Sequence, residues 1–290
     1  MKIFVEHLND DKLVTLTGYV QEPSREMPCY AKKPAVLVLP GGAYLFTSDR
    51  EAEPIALAYA AKGFQAFVLH YSTAQRAEGL KPLEEASKAI GLIRKNADKW
   101  HVIEDQLVTC GFSAGGHLSA WVGLCGENKP NGMILCYPAV ELYSPEREAE
   151  RKANPGPGNP VGNRLLESLL GKGYSKEAAE TLNLAQYVGP DSIPAFCWSS
   201  AEDAITTSGP ILNFFKAYAD FKRPFELHLY QWGEHGLALS DYTTANGRKS
   251  MVEPHIEGWV DMTIKWFHRN FGAPLIEDKP HVIIPGLVPD

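Results

Sequence analysis

One serine in this sequence stands in a setting that would make it a nucleophile. Ser113 is the centre of the pentapeptide Gly-Phe-Ser-Ala-Gly at 111–115, which follows the apolar run 106–110 and precedes a helical pattern. A serine on a tight turn from strand to helix has its hydroxyl pushed out of the backbone, and small neighbours leave room for that turn. The pentapeptide alone is a weak motif, but this context predicts a nucleophile elbow.

A serine nucleophile needs a general base and a group that orients the base, and both types of residue follow later predicted strands. Asp203 lies in a loop after the apolar run 193–198, with Glu202 beside it as the alternative acid. His235 lies in a glycine-flanked loop after the next strand-like run. About one strand-helix-strand passage separates the two loops, so they can adjoin at one edge of a sheet. We predict Ser113 as nucleophile, His235 as base and Asp203 as acid.

The reaction also needs donors for a developing oxyanion, and backbone N–H groups commonly supply them. A flexible segment with Gly41, Gly42 and Ala43 follows an early apolar strand, and the N–H of Ala114 lies at the helix start beside the nucleophile. We assign Gly42, Ala43 and Ala114 to the oxyanion hole. The sequence leaves open which of Gly41, Gly42 and Ala43 directs its N–H inward.

Aromatic residues near the same strand ends are candidate substrate contacts, namely Tyr44, Trp198 and Trp232. Aromatic residues at strand ends more often belong to the core. The five cysteines are scattered and lie mostly in apolar runs, so they form neither a disulfide framework nor a metal-binding pattern. We therefore predict no metal at the site.

The elements that must position these residues follow from the pattern of apolar residues. Strand-like runs alternate with helical periods, which predicts a mostly parallel sheet with helices on both faces. The first two predicted strands form an antiparallel pair. The predicted strands are 3–8, 13–19, 35–39, 64–69, 107–110, 132–137, 193–198 and 224–230. Two predicted helices begin at about 51 and 82. Three more cover 118–125, 210–221 and 255–271.

We interpret residues 1–272 as one domain with an insertion at about 141–191, where the apolar periodicity lapses. The insertion holds a charged run and a stretch rich in proline and glycine. Short helices are expected within it at 165–170 and 175–185, the second capped by Ser175. We interpret this insertion as a small helical cap over the mouth of the sheet.

Residues 273–290 carry four prolines around a short apolar run. We interpret them as an extended tail that lies on the body or on a second subunit of a homodimer.

Charge and hydropathy exclude two classes of partner. The chain has 28 Lys and Arg against 35 Asp and Glu, a net charge of −7, and no basic cluster, so nucleic acid is not an expected partner. Acidic residues precede any apolar stretch long enough for a signal peptide, and no run of about 18 apolar residues occurs. We predict a cytoplasmic protein that does not bind membranes.

Taken together, the motifs at 40–43, 111–117, 203–205 and 235–236 resemble those of the α/β-hydrolase esterase/lipase family. They are most similar to small carboxylesterases of the acetyl-esterase and acetylxylan-esterase-like group, over roughly 35–271. The resemblance implies an eight-stranded, mostly parallel sheet and cofactor-free ester hydrolysis through an acyl-enzyme, often on short acyl chains. One departure is Ala43, which stands where many relatives have a third glycine, although its backbone N–H remains.

The expected function is therefore a serine carboxylesterase for short-chain acyl esters, mainly acetyl esters, including those of sugars or xylan fragments. An aminopeptidase or acylpeptide hydrolase on the same fold is one alternative, because the triad does not distinguish an ester from an amide. A non-catalytic binding protein is another, although such proteins commonly lose the serine or the histidine.

Overall fold

A single mostly parallel sheet forms the centre of the computed structural model, which describes residues 1–145, 148–149 and 159–273. Its strands are β1 (Lys2–His7), β2 (Thr15–Val20), β3 (Lys33–Leu39), β4 (Gln65–His70), β5 (Val102–Phe112), β6 (Gly132–Cys136), β7 (Ala195–Ser200) and β8 (Phe225–Tyr230). Their order is β1-β2-β4-β3-β5-β6-β7-β8. The pairs β1–β2 and β2–β4 are antiparallel and the rest are parallel. The predicted eight-stranded α/β fold is confirmed.

Helices cover both faces of this sheet. They are α1 (Glu53–Ala61), α2 (Lys81–Lys95), α3 (Ala114–Cys125), α4 (Asn159–Leu170), α5 (Lys176–Glu180), α6 (Ser208–Asp220) and α7 (Trp259–Phe271). One apolar cluster lies between the sheet and α2, α3 and α6, and a second lies between the sheet and α1 and α7. Because both faces are covered, every residue of the central strands β3, β6 and β7 is buried, and most of these residues are apolar. Among the described residues, no helix is long and apolar enough to cross a membrane.

Two element boundaries differ from the prediction for local reasons. Strand β5 begins at Val102, earlier than the predicted 107, because the pairing of β3 with β5 shifts register and tolerates the polar residues 104–106. Helix α7 begins at Trp259, later than the predicted 255, because Pro254 and Gly258 favour turns.

The predicted insertion is described in part. Helices α4 and α5 lie within it, and the Ser175 hydroxyl accepts a hydrogen bond from the Ala178 N–H at 3.1 Å, as expected of a helix cap. Residues 146–147 and 150–158 lie outside the described residues, as does the tail from 274 onwards. The cap over the sheet and the homodimer therefore stay predictions.

Glycines allow α3 to approach the sheet closely enough to form the turn at Ser113. A Cβ on Gly115 would overlap the Leu39 carbonyl oxygen at the end of β3. A Cβ on Gly111 would overlap the Gly115 carbonyl oxygen. The small residues of the pentapeptide are thus required by the contact between α3 and the sheet.

We expect Gly115→Ala to lower the free energy of unfolding by about 2 kcal/mol or more, because the new methyl group forces α3 away from β3. Gly209, in the first turn of α6, is the matched control, since beyond its chain neighbours and the backbone of its own helix no atom lies within 4 Å of its Cβ position. Gly209→Ala should leave stability unchanged or raise it by about 0.5–1 kcal/mol. Urea unfolding followed by circular dichroism measures both, and equal stabilities would contradict the packing argument.

Candidate active site

Ser113 stands on a strained turn between β5 and α3. Its backbone angles are φ 52° and ψ −115°, a conformation that L-residues rarely adopt. The Ser113 N–H donates to the Cys136 carbonyl at 3.0 Å, and the Ser113 carbonyl accepts from the N–H of Ala139 at 3.1 Å. Strained residues persist only where surrounding structure holds them. Here the last residue of β6 and the segment directly after it hold the turn through both backbone groups of Ser113.

The structure brings the three predicted catalytic residues together in one hydrogen-bonded chain. The Ser113 Oγ lies 2.8 Å from the His235 Nε2, and the His235 Nδ1 lies 2.7 Å from the Asp203 Oδ2. An ionised carboxylate only accepts, so the Nδ1 carries the proton that faces Asp203. The Nε2 is then free to accept the proton of the serine hydroxyl. This is the arrangement that a general base requires.

Asp203 is buried and is held by a local turn. Its Oδ1 accepts the N–H groups of Ile205 at 2.8 Å and Thr206 at 2.9 Å, and its Oδ2 accepts the Thr206 hydroxyl at 2.8 Å. Burial by itself would raise the pKa of Asp203. The hydrogen bond and charge of His235, with the bonds from Thr206, outweigh it and lower the pKa below its usual value. Asp203 is therefore ionised at neutral pH.

Glu202 is not brought to the histidine. Its side chain is exposed, and its Oε2 accepts the Gly233 N–H at 3.3 Å. Of the two adjacent carboxylates, only Asp203 reaches His235.

The oxyanion segment follows β3, and its N–H groups have different partners. The Gly41 N–H donates to the Glu51 carboxylate at 2.8 Å, so it is not available to an oxyanion. Within the described part of the chain, no hydrogen bond engages the N–H groups of Gly42, Ala43 or Ala114. Ala43 adopts a left-handed φ of 54°, a conformation that favours glycine. The N–H groups of Gly42, Ala43 and Ala114 stay the predicted donors.

Of the three aromatic residues predicted to contact substrate, two lie in the interior. Tyr44 is fully buried, and Trp198 packs against the rings of Tyr137 and Trp259 with centroid distances of 5.0 and 5.5 Å. Trp232, in the loop before His235, is half exposed at 50%. Of the three, Trp232 is the one that stays a candidate substrate contact.

A buried histidine in α3, His117, is hydrogen-bonded to two other segments of the chain. The His117 Nδ1 lies 2.8 Å from the Tyr44 hydroxyl, and its Nε2 lies 2.8 Å from the Leu182 carbonyl oxygen. A carbonyl only accepts, so the Nε2 carries the proton. Burial lowers the pKa of His117 to about 4, and the bond to Leu182 opposes that shift. His117 is therefore neutral at pH 7 and connects α3 to the oxyanion segment and the insertion.

We expect His117 to make stability fall on acidification. Between its unfolded pKa of about 6.5 and its folded pKa of about 4, the unfolded chain binds more protons, so the loss below pH 6.5 reaches about 3 kcal/mol. His117→Gln keeps two hydrogen-bonding groups and does not titrate. Its free energy of unfolding should fall less between pH 7 and 4.5 than that of the wild type. The control His255→Gln, at an exposed position, should show the wild-type fall, and identical falls in all three proteins would contradict the assignment.

Sequence reasoning missed three residues that contact the site. Thr206 follows Asp203 at the Asp-x-x-Thr spacing of a side-chain turn, which is a usable signal. Tyr137 follows β6, the neighbour of β5 in the sheet. Glu51 belongs to a charged run that is typical of an exposed helix start, and nothing in the sequence shows that it is buried.

Among the described residues, no cluster of histidine, cysteine or acidic side chains could hold a metal ion.

A mostly parallel sheet with a serine on a sharp turn after β5, a carboxylate after β7 and a histidine after β8 defines an α/β hydrolase. The chain belongs to the BD-FAE family, whose profile matches residues 26–208. The resemblance that the motifs indicated is confirmed.

Known proteins similar to this chain include one solved structure and two curated relatives. The solved structure is MGS-M1, an α/β hydrolase enzyme from a Medee basin deep-sea metagenome library; it is 33% identical, with a TM-score of 0.76 over 93% of this chain and 98% of that one. Endo-1,4-β-xylanase B of Butyrivibrio fibrisolvens is 28% identical over 72% of this chain and 33% of its own length. Acetylxylan esterase of Xylanibacter ruminicola is 25% identical over 83% of this chain and 47% of its own length. The chain spans less than half the length of both curated relatives.

Proposed function

We propose that the protein is a serine carboxylesterase that hydrolyses short-chain acyl esters, chiefly acetyl esters of sugars or xylan fragments. The observation that supports the reaction is the pair of hydrogen bonds from Ser113 through His235 to Asp203. The substrate class is supported by the similarity to a protein named acetylxylan esterase.

In the first half of the proposed reaction, the His235 Nε2 takes the proton of the Ser113 hydroxyl as the Oγ attacks the ester carbonyl. The N–H groups of Gly42, Ala43 and Ala114 hold the oxyanion that forms on the carbonyl oxygen. A single such donor is worth about 10²–10³ in kcat. The protonated His235 then gives its proton to the leaving alcohol as the ester bond breaks, which leaves an acyl group on Ser113.

In the second half, a water molecule replaces the alcohol. His235 takes a proton from this water as the water oxygen attacks the acyl-enzyme. His235 then returns the proton to the Ser113 Oγ as the acid leaves. Asp203 accepts the Nδ1 proton throughout, which keeps the imidazole in its productive tautomer and stabilises the imidazolium.

We expect Ser113→Ala to abolish turnover of p-nitrophenyl acetate and labelling by a fluorophosphonate probe, because among the described residues no other hydroxyl is hydrogen-bonded to the His235 Nε2. The circular dichroism spectrum should be unchanged. Ser199→Ala is the matched control, since Ser199 is fully buried and its hydroxyl has no hydrogen-bond partner within the described chain; it should keep wild-type turnover. Wild-type rates in the Ser113 variant would refute the mechanism, and a folded wild type that resists the probe would favour a binding protein.

We expect kcat/KM to be highest for acetate in a p-nitrophenyl ester series from acetate to decanoate, and to fall about tenfold or more by octanoate, because an acetyl site lacks room for added methylenes. Release of acetate from acetylated xylo-oligosaccharides tests the leaving group. Aminoacyl p-nitroanilides are the counter-substrates, and their faster hydrolysis would favour the peptidase alternative. A maximum at long chains would contradict the acetyl assignment.

A further inference from the structure

A second buried carboxylate lies beside the proposed site and takes no part in the steps above. Glu51, in the 3-10 turn Asp49–Glu51 before α1, is only 4% exposed. Its Oε2 accepts the Gly41 N–H at 2.8 Å, and its Oε1 accepts the Tyr137 hydroxyl at 2.7 Å. Both oxygens act as acceptors, which suits an ionised carboxylate. A buried charge needs such partners, so this arrangement requires a structural or functional reason.

The two partners of Glu51 belong to different halves of the site. Gly41 begins the oxyanion segment, directly before Gly42. The Tyr137 hydroxyl also accepts the Ala238 N–H at 3.0 Å, and the Tyr137 ring lies 5.1 Å from the His235 ring in an edge-on contact. Glu51 therefore links the segment that would bind the oxyanion to the residue against which the base packs.

The contact between this carboxylate and the nucleophile turn is close. A Cβ added to Gly41 would lie 2.6 Å from the Glu51 Oε2, 2.8 Å from the Phe112 carbonyl oxygen and 3.1 Å from the Ser113 Cβ. Only glycine fits there. Glu51 thus fixes the Gly41 N–H at a point where an added Cβ would already touch the Ser113 turn.

The neighbouring Arg50 holds the loop that carries the base. Its guanidinium donates to the Gly236 carbonyl at 2.8 Å and to the Thr244 carbonyl, both in the chain that follows β8. Two adjacent residues of one turn, Arg50 and Glu51, thus hold the two loops that supply the oxyanion donors and the base.

Several titratable groups act on Glu51 from the elements packed around it. They are Tyr137 after β6, Tyr71 after β4, His235 after β8 and Arg50 in its own turn. Burial raises the pKa of Glu51, whereas the bonds from Tyr137 and Gly41 and the charges of His235 and Arg50 oppose that rise.

We propose that Glu51 is a positioning residue of the hydrolytic site: its carboxylate fixes Gly41 so that the N–H groups of Gly42 and Ala43 face the oxyanion, and it holds the hydroxyl of Tyr137, whose ring packs against His235. This inference rests on the proposed esterase function. Glu51 acts through its neighbours and does not itself touch the substrate.

The test compares Glu51→Gln with Glu85→Gln. Glu85 is also buried and also accepts one N–H and one hydroxyl, both from Ser72, at 2.7 and 2.6 Å. In each variant the amide nitrogen faces a donor, so both should lose thermal stability. For Glu51→Gln we expect kcat for p-nitrophenyl acetate to fall about 10–100-fold with little change in KM, because the loss is felt in the transition state. Glu85→Gln should keep kcat within about threefold.

The split between kcat and KM separates positioning from a merely structural role. Misplaced oxyanion donors lower kcat with little change in KM, whereas a structural role lowers stability alone, as expected for Glu85→Gln. If Glu51→Gln does not fold, Glu51→Asp is measured instead, and a lower kcat with an unchanged KM supports the proposal.

A folded Glu51 variant with wild-type kcat overturns the inference, whether or not its stability falls. The proposed function fails differently, because the wild type would then neither hydrolyse the ester nor react with the fluorophosphonate at Ser113.

Discussion

The left-handed backbone of Ser113 is the constraint on which the surrounding structure depends. A turn this sharp brings α3 back onto the sheet, and the close approach to β3 excludes side chains from Gly115. The sheet order places β3 on one side of β5 and β6 on the other. The oxyanion segment and Tyr137 consequently lie on opposite sides of the serine. Because the parallel strands end at one edge, β7 and β8 deliver Asp203 and His235 to the same place.

Two buried carboxylates surround the histidine in contrasting environments. Asp203 accepts two backbone N–H groups and a hydroxyl besides the imidazole, and these contacts lower its pKa despite burial. Glu51 has fewer donors, and burial dominates, so its pKa is raised. The difference follows from how many donors each carboxylate meets and not from depth alone. Asp203 is hydrogen-bonded to His235 directly, whereas Glu51 is hydrogen-bonded to Tyr137, whose ring packs against His235.

Sequence patterns located the sheet and the three residues that meet at its edge, because strands, turns and the order of polar residues after strands are local features. They could not choose between Asp203 and Glu202, since the direction of adjacent side chains in a loop depends on the turn that the loop forms. They also could not show that Tyr44 and Trp198 face the interior, because the identity of an aromatic residue at a strand end does not determine the direction of its side chain. Glu51 was missed because its burial depends on the packing of the folded chain, including the contact with Tyr137, which lies 86 positions away.

The span of these contacts along the chain has a consequence for folding. Ser113 and His235 are 122 positions apart, and Arg50 reaches Gly236 across 186 positions. Such pairings close long loops, which is slow and entropically costly before the sheet exists. A nascent chain that ends after β7 contains Ser113 but lacks His235, and its Arg50 lacks the carbonyl groups of Gly236 and Thr244. Under the proposed mechanism, ester hydrolysis therefore requires that β8 and the loop after it have joined the sheet, and molecules in which this part has not yet folded would not hydrolyse the substrate.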